Sequence, residues 1–152
     1  MSEQEKPEFI IGHPTSEYVQ VRALRRTHPG CNDYWDGNWI SCTIDAAVGG
    51  FKARVDADLR AEEFGEFHHQ LSVMNQQLAG QAKFVTMEGC LEIEMSIDRL
   101  GHVTAQCELL DQPGVGNRLE FTLNLDQSYL ASLMDGLKTI IVTFPVLDRR
   151  TK

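Results

Sequence analysis

Apolar and polar residues alternate along five segments of the chain, and this alternation constrains the fold more than any other feature. In residues 51–60 every odd position is apolar and every even position is charged. A period of two predicts a β-strand with one buried face and one face in water, which is typical of antiparallel sheets. The other segments with this period are residues 40–46, 91–97, 103–109 and 119–125.

Glycines mark the turns between these strands. Val48-Gly49-Gly50 predicts a tight hairpin turn, because glycine adopts the positive φ angles that such turns require. Residues 98–101 predict a second turn. Before the first hairpin, residues 19–23 indicate a further strand and Phe9 to Ile11 a short edge segment. Val85 and Met87 are in phase with Leu91, which predicts one long strand over residues 83–97 that bends at Gly89.

Two segments change to a period of about 3.6 and are predicted to be helices. The apolar positions of the first are Phe64, Phe67, Leu71, Met74 and Leu78, with Gly80 as the predicted C-cap. The second begins near Ser128 and ends at Pro145. Its apolar positions are Leu130, Leu133, Met134, Leu137, Ile141 and Phe144.

These elements predict an α+β fold, with residues 1–152 as a single domain. The expected architecture is a two-layer sandwich, in which one antiparallel sheet of about five to seven strands carries both helices on its apolar face. The other face of the sheet is left to solvent or to a partner. The polar ends, residues 1–7 and 148–152, are predicted to be flexible.

The net charge of the chain limits the classes of molecule that it is expected to bind. Twenty-two acidic residues against 14 basic ones give a net charge of −8, which argues against direct nucleic-acid binding and permits a basic protein partner. If one sheet forms, its outer face collects eight acids. These are Asp45, Asp56, Asp58, Glu92, Glu94, Asp98, Glu108 and Glu120. Three interpretations stay open: a solvated face, a recognition surface for a basic protein, or carboxylates that hold a metal or catalyse a reaction.

The spacing of the cysteines and histidines matches no zinc or redox motif. The four cysteines, Cys31, Cys42, Cys90 and Cys107, form no C-x-x-C pair, so they are predicted to be reduced thiols without a disulfide. His68 and His69 are consecutive and do not form the i, i+4 pair of zinc-binding helices. We therefore predict no catalytic residue, no metal site and no cofactor. With no signal peptide or membrane span in the sequence, the expected location is the cytoplasm.

Both tryptophans lie in one short stretch, Asp33-Tyr34-Trp35-Asp36-Gly37-Asn38-Trp39. The favoured interpretation is a turn at residues 36–38 that leads into the first hairpin strand, with a tryptophan folded over the edge of the sheet. The alternative is an interface hot spot, because tryptophan and tyrosine contribute a large share of binding energy.

Several strings resemble the WapI family of bacterial immunity proteins over about residues 30–145. They are DYWDGNWI at 33–40, Gly50-Phe51, Met87-Glu88-Gly89, Gly101-His102-Val103 and DQSYL at 126–130. The resemblance implies a small cytoplasmic protein that neutralises the C-terminal toxin domain of a contact-dependent polymorphic toxin. The family's namesake blocks a tRNA-cleaving toxin. The family carries no catalytic residues to transfer.

The resulting hypothesis is a non-enzymatic immunity protein that binds a basic toxin domain, such as a tRNase, through the polar sheet face. The candidate binding residues are Trp35, Trp39, Asp45, Glu92, Glu94, Glu108 and Glu120. The alternatives are an enzyme that acts on a small ligand or needs a metal and uses the carboxylate-rich face, or an interaction domain of unknown partner. The oligomeric state is left open.

Overall fold

In the part of the chain that it describes, the computed structural model has eight strands in two antiparallel sheets of four, and the five alternating segments are among them. The structure describes residues 6–148, so most of the two ends predicted to be flexible lies outside the described residues. The first sheet has the order β1 (Glu8–Gly12), β2 (Tyr18–Arg26), β3 (Trp39–Val48) and β4 (Phe51–Arg60). The second has the order β5 (Gln81–Val85), β6 (Leu91–Ile97), β7 (His102–Leu110) and β8 (Arg118–Asp126).

Residues 6–148 also form three α-helices. They are the one-turn helix α1 (Tyr34–Gly37), α2 (Ala61–Gln77) and α3 (Leu130–Thr143), the last preceded by a 3₁₀ turn at Gln127–Tyr129. Both long helices that the sequence predicts are confirmed. Helix α2 ends before the predicted glycine cap, because Leu78 itself takes the left-handed conformation with a φ of 53°. Within residues 6–148, no helix has the length and apolar character needed to cross a lipid bilayer.

The α+β class is confirmed, but the prediction of a single sheet of five to seven strands is wrong. Helix α2 separates β4 from β5, and each of these two strands pairs only within its own sheet. A period of two shows that a strand has one wet face but does not say which strands pair. The helices also differ from the prediction: α2 packs beside β5, α3 packs beside β1, and the two helices contact each other.

The turns follow the glycines. The β3–β4 turn lies at Gly49 and Gly50, as predicted. The predicted long strand over residues 83–97 is wrong, because the chain reverses between β5 and β6. Buried Thr86 holds this turn by donating to the Leu91 carbonyl at 3.0 Å, and Gly89 takes a φ of 75°.

Both sheets and both long helices share one hydrophobic core. Phe9 from β1, Phe64 and Phe67 from α2, and Phe84 from β5 form an aromatic cluster in which ring centroids lie 5.3–6.4 Å apart. Each aromatic pair contributes about 0.5–1.5 kcal/mol beyond its buried area. The cluster therefore ties the edge strands β1 and β5, one from each sheet, to the same helix.

Helix α3 covers the edge of β1 at very short range. A Cβ atom added to Gly136 would lie 2.5 Å from the backbone oxygen of Glu8, so only glycine fits there. Gly65 in α2 has open space around it.

We expect Gly136→Ala to lower the free energy of unfolding by about 1–2 kcal/mol, because the clash outweighs the higher helix propensity of alanine. Gly65→Ala is the matched control and should raise the free energy of unfolding by up to about 1 kcal/mol. Urea denaturation of both variants checks the opposite signs. A stabilising Gly136→Ala would show that α3 does not pack this closely on β1.

Candidate functional site

The outward face of the second sheet carries four of the predicted acids. Glu92 on β6, Glu108 on β7 and Glu120 on β8 lie directly opposite one another in the strand register, and Glu94 lies beside them on β6. We call Glu92, Glu94, Glu108 and Glu120 the acidic face. These four residues line an open depression of about 630 Å³.

Few basic groups compensate this charge. Arg118 places Nη1 3.4 Å from Glu108 and 3.9 Å from Glu120, and Lys83 places Nζ 3.9 Å from Glu94. Both basic side chains are more than half exposed, so these ion pairs contribute little. Like charges directly opposite each other destabilise a sheet. The row of three glutamates therefore costs the fold stability.

Asp45 lies apart from this face, on the first sheet. It accepts a hydrogen bond from Arg54 Nε at 2.7 Å and lies 3.9 Å from Arg22. Its side chain is 13% exposed. The prediction that Asp45, Asp56 and Asp58 share one outer face with the glutamates is wrong, since the strands belong to two sheets with separate outward faces.

A groove continues the acidic face around the edge of β5. It has a volume of about 580 Å³, and Lys83 and Val85 line both the groove and the depression on the acidic face. Glu62 and Glu66 of α2 form its polar wall. The exposed side chains of Val85 and Met87 form its apolar wall.

The aromatic stretch forms a clamp around one buried cation. Asp33 caps α1 by accepting from the Asp36 backbone N–H at 3.0 Å, and the chain passes directly from α1 into β3. Arg60, at the end of β4, lies under the aromatic rings and is fully buried. Its guanidinium carbon is 5.2 Å from the ring centroid of Tyr34, 5.4 Å from that of Trp35 and 4.9 Å from that of Trp39.

Every nitrogen of the Arg60 guanidinium has a hydrogen-bond acceptor. Nε donates to Glu62 Oε2 at 2.6 Å, while Nη1 and Nη2 donate to the backbone oxygens of Trp35 and Tyr34, both at 2.7 Å. Tyr34 also donates its hydroxyl to the same Glu62 oxygen at 3.1 Å. We call Tyr34, Trp35, Trp39, Arg60 and Glu62 the arginine clamp. The role of Arg60 was not predicted from the sequence, because the alternation in β4 predicts that its side chain lies on the solvent-exposed face.

The clamp explains the two tryptophans. Trp39 is partly buried. Trp35 is 53% exposed, although one side of its ring contacts the Arg60 guanidinium. The favoured interpretation of a turn leading into β3 agrees with the position of α1. The exposed ring of Trp35 also leaves the interface interpretation open.

Glu63 of α2 is a hydrogen-bond acceptor for backbone N–H groups next to α2 and β5. It accepts from the backbone N–H groups of Arg60 at 2.9 Å and Met87 at 2.7 Å, and Gln70 accepts in the same way from Lys83. Burial is the main reason that the pKa of Glu63 is raised to about 7.

This raised pKa predicts a pH dependence of stability. The folded chain holds the Glu63 proton more tightly than the unfolded chain, so the free energy of unfolding should fall as pH rises from about 4.5 to about 7, by at most about 3 kcal/mol. Urea denaturation at pH 5 and pH 8 measures the drop. It should shrink in Glu63→Gln and persist in the exposed control Glu66→Gln. Equal drops in both variants would assign the effect to another group.

The cysteines offer no activated thiol in the core. All four are free, and Cys42, Cys90 and Cys107 are buried. Burial raises the pKa of both Cys42 and Cys107 to about 12, which disfavours the nucleophilic thiolate. Among residues 6–148, the potential ligand atoms of Cys31, Asp33 and Asp36 lie within 4.8 Å of one another, a grouping the sequence analysis did not identify.

Comparison with known proteins identifies the family. The family model described as "Immunity protein WapI-like family" matches residues 10–145, which include the arginine clamp, the acidic face and both sheets except for the first two residues of β1. No curated protein matches the chain. Since the match spans most of the 152 residues, the chain belongs to the WapI-like immunity protein family.

Proposed function

We propose that this chain is a non-enzymatic immunity protein that binds a basic toxin domain through its acidic face and thereby neutralises it. The observation that carries the proposal is the row of Glu92, Glu108 and Glu120 across three neighbouring strands. A solvated sheet face gains nothing from opposing like charges, whereas a surface selected to bind a cationic partner does.

The toxin class follows from the same charge. Nucleases that act on RNA or DNA tend to be basic because their substrate is polyanionic, so a tRNase or similar nuclease fits the acidic face. A negative face on an inhibitor also speeds capture, since electrostatic steering raises association rates above those of neutral partners. The proposed location is the cytoplasm, where tRNA is cleaved.

The groove and Trp35 supply the apolar part of this proposed interface. Binding energy concentrates in a few aromatic and apolar anchors within a polar surround. Val85 is 57% exposed and Met87 59% exposed, beside Glu62 and Glu66. Trp35 loses little freedom on binding, because Arg60 already fixes its ring. Trp39 and Asp45 stay sequence predictions, since one is partly buried and the other is paired.

Co-expression with the toxin domain encoded beside this gene tests the proposal. We expect the two chains to copurify and the cells to grow, while the toxin domain alone arrests growth. An inactive toxin variant serves as the binding partner when the active one prevents expression. A toxin domain that forms no complex with the chain and kills cells in its presence would contradict the proposal.

A further inference from the structure

The outer edge of β4 is unpaired over residues 52–56 of the described chain, whereas Glu63 occupies it at Arg60, and Glu88, Cys90 and Pro113 line a pocket together with Asp56 and Asp58. Helix α3 covers β1 and side chains of α2 cover β5, while β8, the other edge strand of the second sheet, only approaches β1 and pairs with no strand on its outer side within residues 6–148. Strand β4 is ten residues long and pairs only with β3. Over residues 6–148, the backbone groups of Lys52, Arg54 and Asp56 that point away from β3 have no hydrogen-bond partner on that side.

The β3–β4 turn determines which groups point outward. In a two-residue hairpin the closing pair, here Val48 and Phe51, is hydrogen-bonded, and hydrogen-bonded positions then alternate along the strand. Odd positions of β4 therefore bond to β3 and even positions face outward. Arg60 agrees with this parity, because its N–H bonds to Glu63 and not to β3.

The residues of β4 whose backbone groups point away from β3 have charged side chains, and these charges follow a self-complementary order. Along β4 they read Lys52, Arg54, Asp56, Asp58, which is two positive residues followed by two negative ones. When a second β4 runs antiparallel with the two Val55 residues facing each other, Lys52 lies opposite Asp58 and Arg54 opposite Asp56. A shift by two residues in either direction places Arg54 opposite Arg54 or Asp56 opposite Asp56. Charges that serve only to prevent pairing with other strands would not need to be complementary in this way.

The side chains at this edge are compatible with such pairing. Arg54 uses Nε for Asp45, and within the described chain its two terminal nitrogens have no hydrogen bond. Asp56 has one weak contact, from Thr43 at 3.3 Å, whereas Asp58 is already held by Thr27 and Ser41. On the core side, Ala53 and Ala57 are small. Phe51, 66% exposed, lies opposite the buried Leu59 of the second copy in this register.

We infer that a second copy of this chain pairs with the outer edge of β4, antiparallel about Val55, so that the two first sheets join into one eight-stranded sheet. Backbone hydrogen bonds supply the attraction, and the Arg54–Asp56 pairs, formed twice by symmetry, select the register. The dimer leaves the acidic face on the second sheet free. It is therefore independent of the proposed toxin binding.

Sedimentation equilibrium of the full chain, from about 1 µM to about 1 mM, tests the inference. We expect the average mass to rise from 17.1 kDa towards twice that value. The Asp56→Lys and Arg54→Glu variants should each raise the dimer dissociation constant at least about tenfold, because each places like charges opposite each other twice. Asp135→Lys, an exposed reversal on α3, should leave it unchanged.

Mixing the two edge variants provides the decisive measurement. Asp56→Lys and Arg54→Glu are complementary to each other, so their equimolar mixture should form a heterodimer although each alone is largely monomeric. Circular dichroism confirms that both variants are folded. A wild-type chain that stays monomeric throughout overturns the inference, as does a dimer insensitive to both variants. A mixture that does not dimerise overturns the register.

Discussion

Replacing Arg60 with methionine is expected to lower the free energy of unfolding by about 3–5 kcal/mol. Methionine approximates the length of the arginine side chain but donates no hydrogen bond. The backbone oxygens of Tyr34 and Trp35 lose their donors, and Glu62 keeps a partly buried negative charge without its cation. Glu62 Oε1 already lacks a hydrogen-bond partner within the described structure, so the Tyr34 hydroxyl would be the remaining donor to this carboxylate. Urea denaturation monitored by tryptophan fluorescence also reports the release of the Trp35 and Trp39 rings.

Two variants separate this effect from a general loss of charge. Arg54→Met removes an exposed arginine from the same strand and should lower the free energy of unfolding far less than Arg60→Met does. Arg60→Lys keeps the charge but loses the planar fork that donates to three acceptors, so it should recover only part of the loss. An Arg60→Met variant as stable as Arg54→Met would mean that the arginine clamp does not hold α1 in place.

Reversing Glu92, Glu94 and Glu108 to lysine is expected to slow association with a basic toxin domain by about ten- to a hundredfold at low salt. The variant changes the charge of the acidic face from negative to positive. We expect the melting temperature to change little. The reversal leaves like charges at positions 92 and 108 and makes the pair of positions 108 and 120 attractive. The ion pairs of Glu94 with Lys83 and of Glu108 with Arg118 that it removes are exposed and contribute little. Stopped-flow measurement of the association rate checks the prediction.

A control with the same change in net charge shows whether location matters. Glu88, Asp135 and Asp148 are exposed acids outside the acidic face, and their reversal to lysine should slow association by much less. The difference between the two triple variants should shrink at about 1 M salt, where the Debye length is about 3 Å. Equal rates for both variants would place the toxin-binding surface elsewhere on the chain.

The elements of this fold were predictable because their signals are local. Alternation over residues 51–60 and the glycine pair after Val48 define the β3–β4 hairpin without knowledge of the rest. The division into two sheets was not predictable. It depends on where α2 leaves β5 relative to β4, which is a long-range packing outcome that a period of two does not encode.

The candidate site also has a part that the sequence predicts and a part that it does not. Glu92, Glu108 and Glu120 share a face because short turns set the register of β6, β7 and β8. Counting outward from Gly49 and Gly50 also pairs Trp39 with Arg60, so that contact was within reach of the sequence. The burial of Arg60 could not be predicted from the sequence, because it requires α1 to fold back over the end of β4.

The last described residues have a consequence for the order in which this chain completes its folding. Arg26 donates to the backbone oxygens of both Gly37 and Pro145, and Asn38 bonds to the N–H and the oxygen of Leu147, 109 residues later. Helix α3 also supplies the cover of β1. The first sheet therefore leaves the ribosome early but receives its final contacts only after residue 147 has been synthesised, and contacts so distant in sequence form slowly. A nascent chain that stalls before α3 would leave the edge of β1 uncovered, a state in which aggregation competes with folding.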